Sequence, residues 1–205
     1  MYSTKTGLVL GFHGCDEHLV QKVLANQEFL NPSKNTYDWL GSGIYFWESS
    51  PSRALDYANA LNERRKRTKQ TLIKPAVIGA VIDLGHCLDL LEYQNLQLLK
   101  EGFELLQTTL EISGLAIPAN KAVGQSDDLL LRDLDCAVIE TLHDVRKEAN
   151  LTPFDSVRGV FFEGDELYPG AGFKEKNHIQ LCIRNPNCIK GYFLPRLLDE
   201  SFPKV

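Results

Sequence analysis

The run Gly41-Ser42-Gly43-Ile44-Tyr45-Phe46-Trp47-Glu48-Ser49-Ser50-Pro51-Ser52-Arg53-Ala54-Leu55-Asp56-Tyr57-Ala58 decides how the chain is read. Two glycines lead into four large apolar residues, the pattern of a short strand entered where the backbone passes close to something else. Ser50-Pro51 then has the form of a helix start, a serine N-cap followed by proline in the first turn. Ala54, Tyr57, Ala58 and Leu61 recur at helical spacing. Tyr45 on the strand and Tyr57 on the helix can then converge on one cleft, where two rings sandwich a flat heterocycle.

Upstream, residues 7 to 12 (Gly-Leu-Val-Leu-Gly-Phe) read as a buried strand that delivers His13 at its end, with Gly14 directly after it. Asp16 is placed to cap a helix whose apolar positions are Leu19, Val20, Val23 and Leu24. Residues 31 to 42, rich in Asn, Pro, Ser and Gly with Tyr37 and Trp39 among them, read as a loop. Lying between the two motifs, that loop is expected to border the cleft.

A His-Gly pair or a Gly-x-Gly-Ile-Tyr-Phe run carries little information alone, but their order, their spacing and the Ser-Pro-helix-Tyr continuation carry more. Together they resemble the diphtheria-toxin and poly(ADP-ribose) polymerase branch of the ADP-ribosyltransferases. The resemblance implies an α+β fold with a split antiparallel β-sheet core, and NAD as substrate. It implies that His13 holds a ribose hydroxyl, that the Gly14 backbone holds the nicotinamide carboxamide, and that Tyr45 and Tyr57 stack on the nicotinamide ring. Ser52, with Ser50 as the alternative, would assist at the carboxamide; the spacing to Tyr57 is about one residue off the family pattern.

The third family residue, a glutamate early in the penultimate strand, has no counterpart here. That strand reads Asn177-His178-Ile179-Gln180-Leu181-Cys182-Ile183. Alternation puts His178, Gln180 and Cys182 on one face and Ile179, Leu181 and Ile183 on the other. The cleft-facing position is assigned to Gln180, with His178 second. A glutamine can hydrogen-bond a ribose but brings no charge to a developing cation and cannot act as a general base. Glu163, Glu166 and Glu175, in the adjoining Gly- and Pro-bearing loop, are the carboxylates that can swing in. That loop also holds the position from which the family contacts its acceptor substrate.

The implied activity is mono-ADP-ribosyl transfer to a protein or nucleic-acid acceptor, as in toxin-like members of the family, since chain elongation relies on the missing glutamate. The alternatives are an inactive NAD- or nucleotide-binding module and an NAD-dependent RNA 2'-phosphotransferase-like enzyme.

The rest of the chain sets bounds. At 205 residues and 43% hydrophobic content, one domain spanning 1–205 is expected. The five cysteines, Cys15, Cys87, Cys136, Cys182 and Cys188, lack paired metal spacing, which argues against a disulfide framework or metal site and for a reducing, cytoplasmic setting. No leader pattern or membrane-length apolar run is read. A net charge of −5 argues against broad nucleic-acid binding, although Arg64, Arg65, Lys66, Arg67 and Lys69 crowd one segment that can meet phosphates, whether of NAD or of an acceptor.

Residues 76 to 83 read as an interior strand. Leu96, Leu99, Phe103, Leu106 and Leu110 mark a helix closing near Gly114, and Leu131, Leu134, Val138, Leu142 and Val145 a second, with a loop from Pro118 to Asp128 between them. His143 on the second helix reads as a surface or hydrogen-bonded histidine. The block from about 84 to 150, outside the resemblance, reads as a helical insertion. Strands are expected again at 157–162, 178–184 and 188–194.

Overall fold

The computed structural model describes residues 7–123, 128–197 and 199–203. In chain order the elements are β1 (Val9–Asp16), α1 (Glu17–Leu24), β2 (Ile44–Glu48), α2 (Pro51–Arg67), β3 (Pro75–Ile82), β4 (Cys87–Asp89), α3 (Tyr93–Ile112), β5 (Lys121–Ala122), β6 (Leu129–Leu131), α4 (Asp133–Glu148), β7 (Ser156–Phe161), β8 (His178–Ile183) and β9 (Ile189–Phe193). The fold is α+β. Asp16 caps α1 by accepting from the His18 N–H at 3.2 Å. Ser50 occupies the N-cap of α2 with Pro51 next, although its hydroxyl makes no capping bond.

Seven strands form one sheet in the order β4-β7-β8-β2-β1-β3-β9. The sheet is mixed rather than wholly antiparallel, because β4 runs parallel to β7 with Leu88 opposite Val157. The Asp155 carboxylate fixes that edge by accepting the His86 N–H at 2.9 Å, just after a turn at Gly85 with φ of +58°. β1 runs three residues beyond His13, since all eight of its residues pair with β3, from Val9 opposite Ile82 to Asp16 opposite Pro75. With β2, by contrast, β1 pairs only at Gly11 and Phe12. The sheet is thus two halves, β4-β7-β8-β2 and β1-β3-β9, meeting at a narrow seam.

Residues directly opposite across antiparallel strands point to the same face. One row runs through Gly159, Gln180, Trp47, Phe12 and Gly79, and the adjacent row through Arg158, Leu181 and Phe46 points to the other face. α1 covers that second face, where Val20 and Val23 join Phe46, Ile78, Leu181 and Ile183 in the largest core. α2 covers the first face at the seam, with Ala54 against Phe12 and Trp47. α4 covers it further along, where Ile139 and Leu142 join Leu40, Leu88, Val157 and Cys182.

The segment from 84 to 150 is therefore more than a helical insertion. It supplies edge strand β4, the β5–β6 pair and, through α4, one wall of the second core. Leu131, expected on the second helix, closes β6 instead. Part of the expected 118–128 loop, residues 124–127, lies outside the described residues. α3 packs on α4 so closely that a Cβ at Gly102 would sit 2.8 Å from the Leu142 side chain.

Candidate functional site

The two motifs meet at the seam. Just past the last β1–β2 pair, the ring of His13 turns across the gap and its Nδ1 lies 2.8 Å from the main-chain oxygen of Tyr45. Its neighbour Phe46 stands edge-on, with ring centroids 5.8 Å apart. Burial lowers the His13 pKa below its ordinary value, partly offset by the Tyr45 carbonyl. The imidazole is therefore neutral at pH 7, and because a carbonyl only accepts, Nδ1 carries the proton.

Gly14, on the opposite face, lies under α2, where a Cβ would fall 1.9 Å from the Ala54 oxygen. The glycine lets the helix that carries Tyr57 sit directly on the strand that carries His13. The glycines before Tyr45 have a comparable internal cause: a Cβ at Gly41 would meet Glu140 of α4 at 2.6 Å, and one at Gly43 would meet the Cys182 sulfur at 2.5 Å.

Tyr45 and Tyr57 do not form a sandwich. The Tyr45 hydroxyl donates to the Gly41 oxygen at 2.8 Å and accepts from the Leu40 N–H at 3.1 Å, so its ring is anchored in the second core. Tyr57, 46% exposed, lies instead against Trp47, with centroids 5.0 Å apart and planes 43° from parallel. Partial burial raises the Tyr57 phenol, with Arg64 pulling it back and Tyr37 and Asp38 adding to the rise. The loop and the basic end of α2 both reach this ring.

Trp47 continues into a second cluster. Its ring stands 6.2 Å from that of His178, which in turn lies 5.5 Å from Phe161. Arg53, on the first turn of α2, pairs with Asp56 and, at 2.9 Å, with Glu163. The His178 pKa is lowered, first by burial and then, against a bond to the Lys176 carbonyl, by the charge of Arg53. Six buried side-chain N or O atoms have no hydrogen-bond partner among the described residues, and three belong here: Trp47 Nε1, Arg53 Nε and His178 Nε2.

The alternation expected for β8 holds, but Gln180 is engaged: its Oε1 accepts from Trp39 Nε1 at 2.6 Å. Trp39 reaches it by lying over Gly159, where a Cβ would fall 2.6 Å from the indole. His178 is thus the β8 residue with an open nitrogen. Of the loop carboxylates, Glu163 reaches the cluster through Arg53, Glu166 accepts from the Gly170 N–H within its own loop at 2.8 Å, and Glu175 is exposed. Ser52 is exposed on the first turn of α2, and Ser50 is half-buried. The basic residues 64–67 form the last turn of α2, where their charge complements the helix dipole.

His143 is neither a surface residue nor a fully hydrogen-bonded one. It is buried in α4 edge-on to Phe154, and its Nε2 has no hydrogen-bond partner among the described residues. Burial pushes its pKa down to about 4.

Sequence reading passed over Trp47 and Arg53. The signal was present: Trp47 shares a strand face with Tyr45 two residues away, and Arg53 sits one helical turn before Tyr57.

No model of a known protein family matches the chain, and no solved structure matches it. Among the described residues no helix is long and apolar enough to cross a membrane. The chain is similar to an uncharacterized protein of Methanocaldococcus jannaschii, 26% identical over 211 residues that cover 92% of this chain and 89% of that one.

Proposed function

We propose that this protein is a mono-ADP-ribosyltransferase of the split-sheet type, which cleaves NAD at the nicotinamide–ribose bond and transfers ADP-ribose to a protein or nucleic-acid acceptor. The observation that carries the reading is the junction at the seam: the His13 imidazole on the Tyr45 carbonyl, with Gly14 directly beneath the helix that bears Tyr57. Two motifs about thirty residues apart converge where the sheet halves part.

In this reading His13 Nε2 accepts from a ribose hydroxyl, the Gly14 backbone and Ser52 orient the carboxamide, and Tyr57 offers a ring face to the base. Tyr45 acts by holding the strand and loop in place. Arg64, beside Tyr57, is positioned for a phosphate. As the glycosidic bond lengthens, positive charge develops on the ribose, and the family's glutamate is absent from β8. Neutral His178 and Glu163, held by Arg53, are the polar groups left near that position, because Gln180 is bonded to Trp39.

The test is incubation of the full chain with NAD. Release of nicotinamide with formation of ADP-ribose or an ADP-ribosyl adduct supports the reading, and its absence overturns it. The lack of a free carboxylate on β8 favours a second reading, a binding module that holds NAD without turnover, which calorimetry separates from the first. Loss of phosphate from a 2'-phosphorylated RNA in the same assay would instead identify a phosphotransferase.

A further inference from the structure

The cluster beneath Tyr57 holds a buried acceptor without a donor beside a buried donor without an acceptor. His178 Nδ1 lies 2.6 Å from the Lys176 carbonyl, and a carbonyl only accepts, so Nδ1 carries the proton and Nε2 is a bare lone pair. An indole Nε1–H, conversely, can only donate. Trp47 and His178 are 4% and 8% exposed, and neither Trp47 Nε1 nor His178 Nε2 has a partner among the described residues. Unpaired polar atoms this deep in a protein are costly and call for an explanation.

We propose that Trp47 Nε1 and His178 Nε2 together bind the attacking group of the transfer reaction, that this group is a hydroxyl, and that His178 takes its proton. The inference rests on the ADP-ribosyltransferase reading and narrows its acceptor. One atom must accept from the indole and donate to the imidazole. An alcohol or water oxygen does both, whereas an ammonium or guanidinium has no lone pair to offer and an ionised carboxylate has no proton. The two rings are neighbours, with centroids 6.2 Å apart and planes 44° from parallel.

The step balances. A lone pair of the hydroxyl oxygen forms the bond to the anomeric carbon, and the carbon–nitrogen bond breaks with its electron pair leaving on nicotinamide, which departs neutral. The hydroxyl proton passes to His178 Nε2 and from there to solvent. Tyr57, itself half exposed, lies against Trp47, and the acceptor would enter past its ring. The charged group facing His178 is Arg53 of α2, bound to Glu163 of the loop and to Asp56 of its own helix; Lys176 presents its main chain. Burial and the Arg53 charge keep the imidazole neutral and ready to accept.

The experiment incubates the full chain with NAD in buffer alone, with methanol and with methylamine, and resolves the products. Methyl ADP-riboside is expected with methanol, and no adduct with methylamine. His178→Asn retains an N–H for the Lys176 carbonyl but has no Nε2; it is expected to slow nicotinamide release by roughly a hundredfold or more while NAD affinity stays within about twofold. Wild-type activity is expected to fall through an acid limb below the ordinary imidazole range, and Arg53→Gln to move that limb to higher pH. A methylamine adduct forming as readily as the methanol one overturns the proposal, as does a full rate in His178→Asn. Absence of nicotinamide release from the wild type under all three conditions overturns the transferase reading and this inference with it. Should His178→Asn fail to fold, long-range proton–nitrogen spectra of the wild-type imidazoles decide: an Nδ1–H tautomer supports the assignment, and an Nε2–H tautomer overturns it.

Discussion

His13 and Tyr45 are joined side chain to main chain, Nδ1 to carbonyl at 2.8 Å, at the point where β1 and β2 cease to pair. The bond orients the imidazole and leaves Nε2 as its accepting nitrogen. His13→Ala is expected to abolish nicotinamide release while far-UV circular dichroism stays native. Loss of one side-chain hydrogen bond costs about 1 kcal/mol, or about 2–4 °C in Tm for a chain of this size. An active His13→Ala protein would sink its assignment to the site.

Gly14 is needed for packing as much as for any ligand. With the Ala54 oxygen 1.9 Å from where a Cβ would stand, Gly14→Ala must push α2 off the strand. A destabilisation of about 1–3 kcal/mol in urea unfolding is expected, with Tyr57 displaced along with the helix and NAD binding weakened. A variant with unchanged stability would show that α2 is free to shift.

The two tyrosines should separate cleanly. Tyr45→Phe removes the hydroxyl that serves Leu40 and Gly41, and is expected to cost about 1–3 kcal/mol of stability through the unpaired Leu40 N–H. Tyr57→Ala removes a half-exposed ring, and is expected to leave stability nearly unchanged while weakening NAD binding by about 1 kcal/mol. Equal effects of both changes on NAD affinity, measured calorimetrically, would restore the sandwich.

His143 makes stability depend on pH. Its folded pKa of about 4 lies below the ordinary 6.5, so between these values the unfolded chain binds the extra proton. Stability contributed by the neutral ring is complete above about 6.5 and lost as pH falls towards 4, on the order of 3 kcal/mol in all. His143→Phe is expected to flatten the difference between unfolding curves at pH 7 and pH 4.5. Curves that keep the wild-type separation would assign the acid sensitivity to other groups.

What could be read beforehand followed from how far each signal extends along the chain. The β3 run and the two amphipathic helices of the middle segment were legible because eight or more residues repeat one pattern. β4 was not, because three residues carry no period. The first strand was read over residues 7 to 12 with His13 at its end; the structure carries it on to Asp16, with Gly14 a strand glycine whose missing side chain makes room for a helix. At the site, alternation put His178 and Gln180 on one face of β8 and the cleft-facing place went to Gln180; the structure shows that residue bonded to Trp39, a partner 141 positions away that no local pattern could reveal.

The seam also bears on how the molecule is made. β1, β3 and β9 form one half of the sheet, yet the chain leaves that half after β1, returns for β3, leaves again for β4 and comes back only at β9. Neither half is a continuous stretch of polypeptide, so neither can be excised as one segment, and the β1-β3-β9 half is completed only after every strand of the other has been made. β3 waits for β9, more than a hundred residues downstream, before its outer edge is paired. Such distant pairings slow folding, and until β9 arrives the Gly79–Ile82 edge is the surface most open to pairing with the wrong chain.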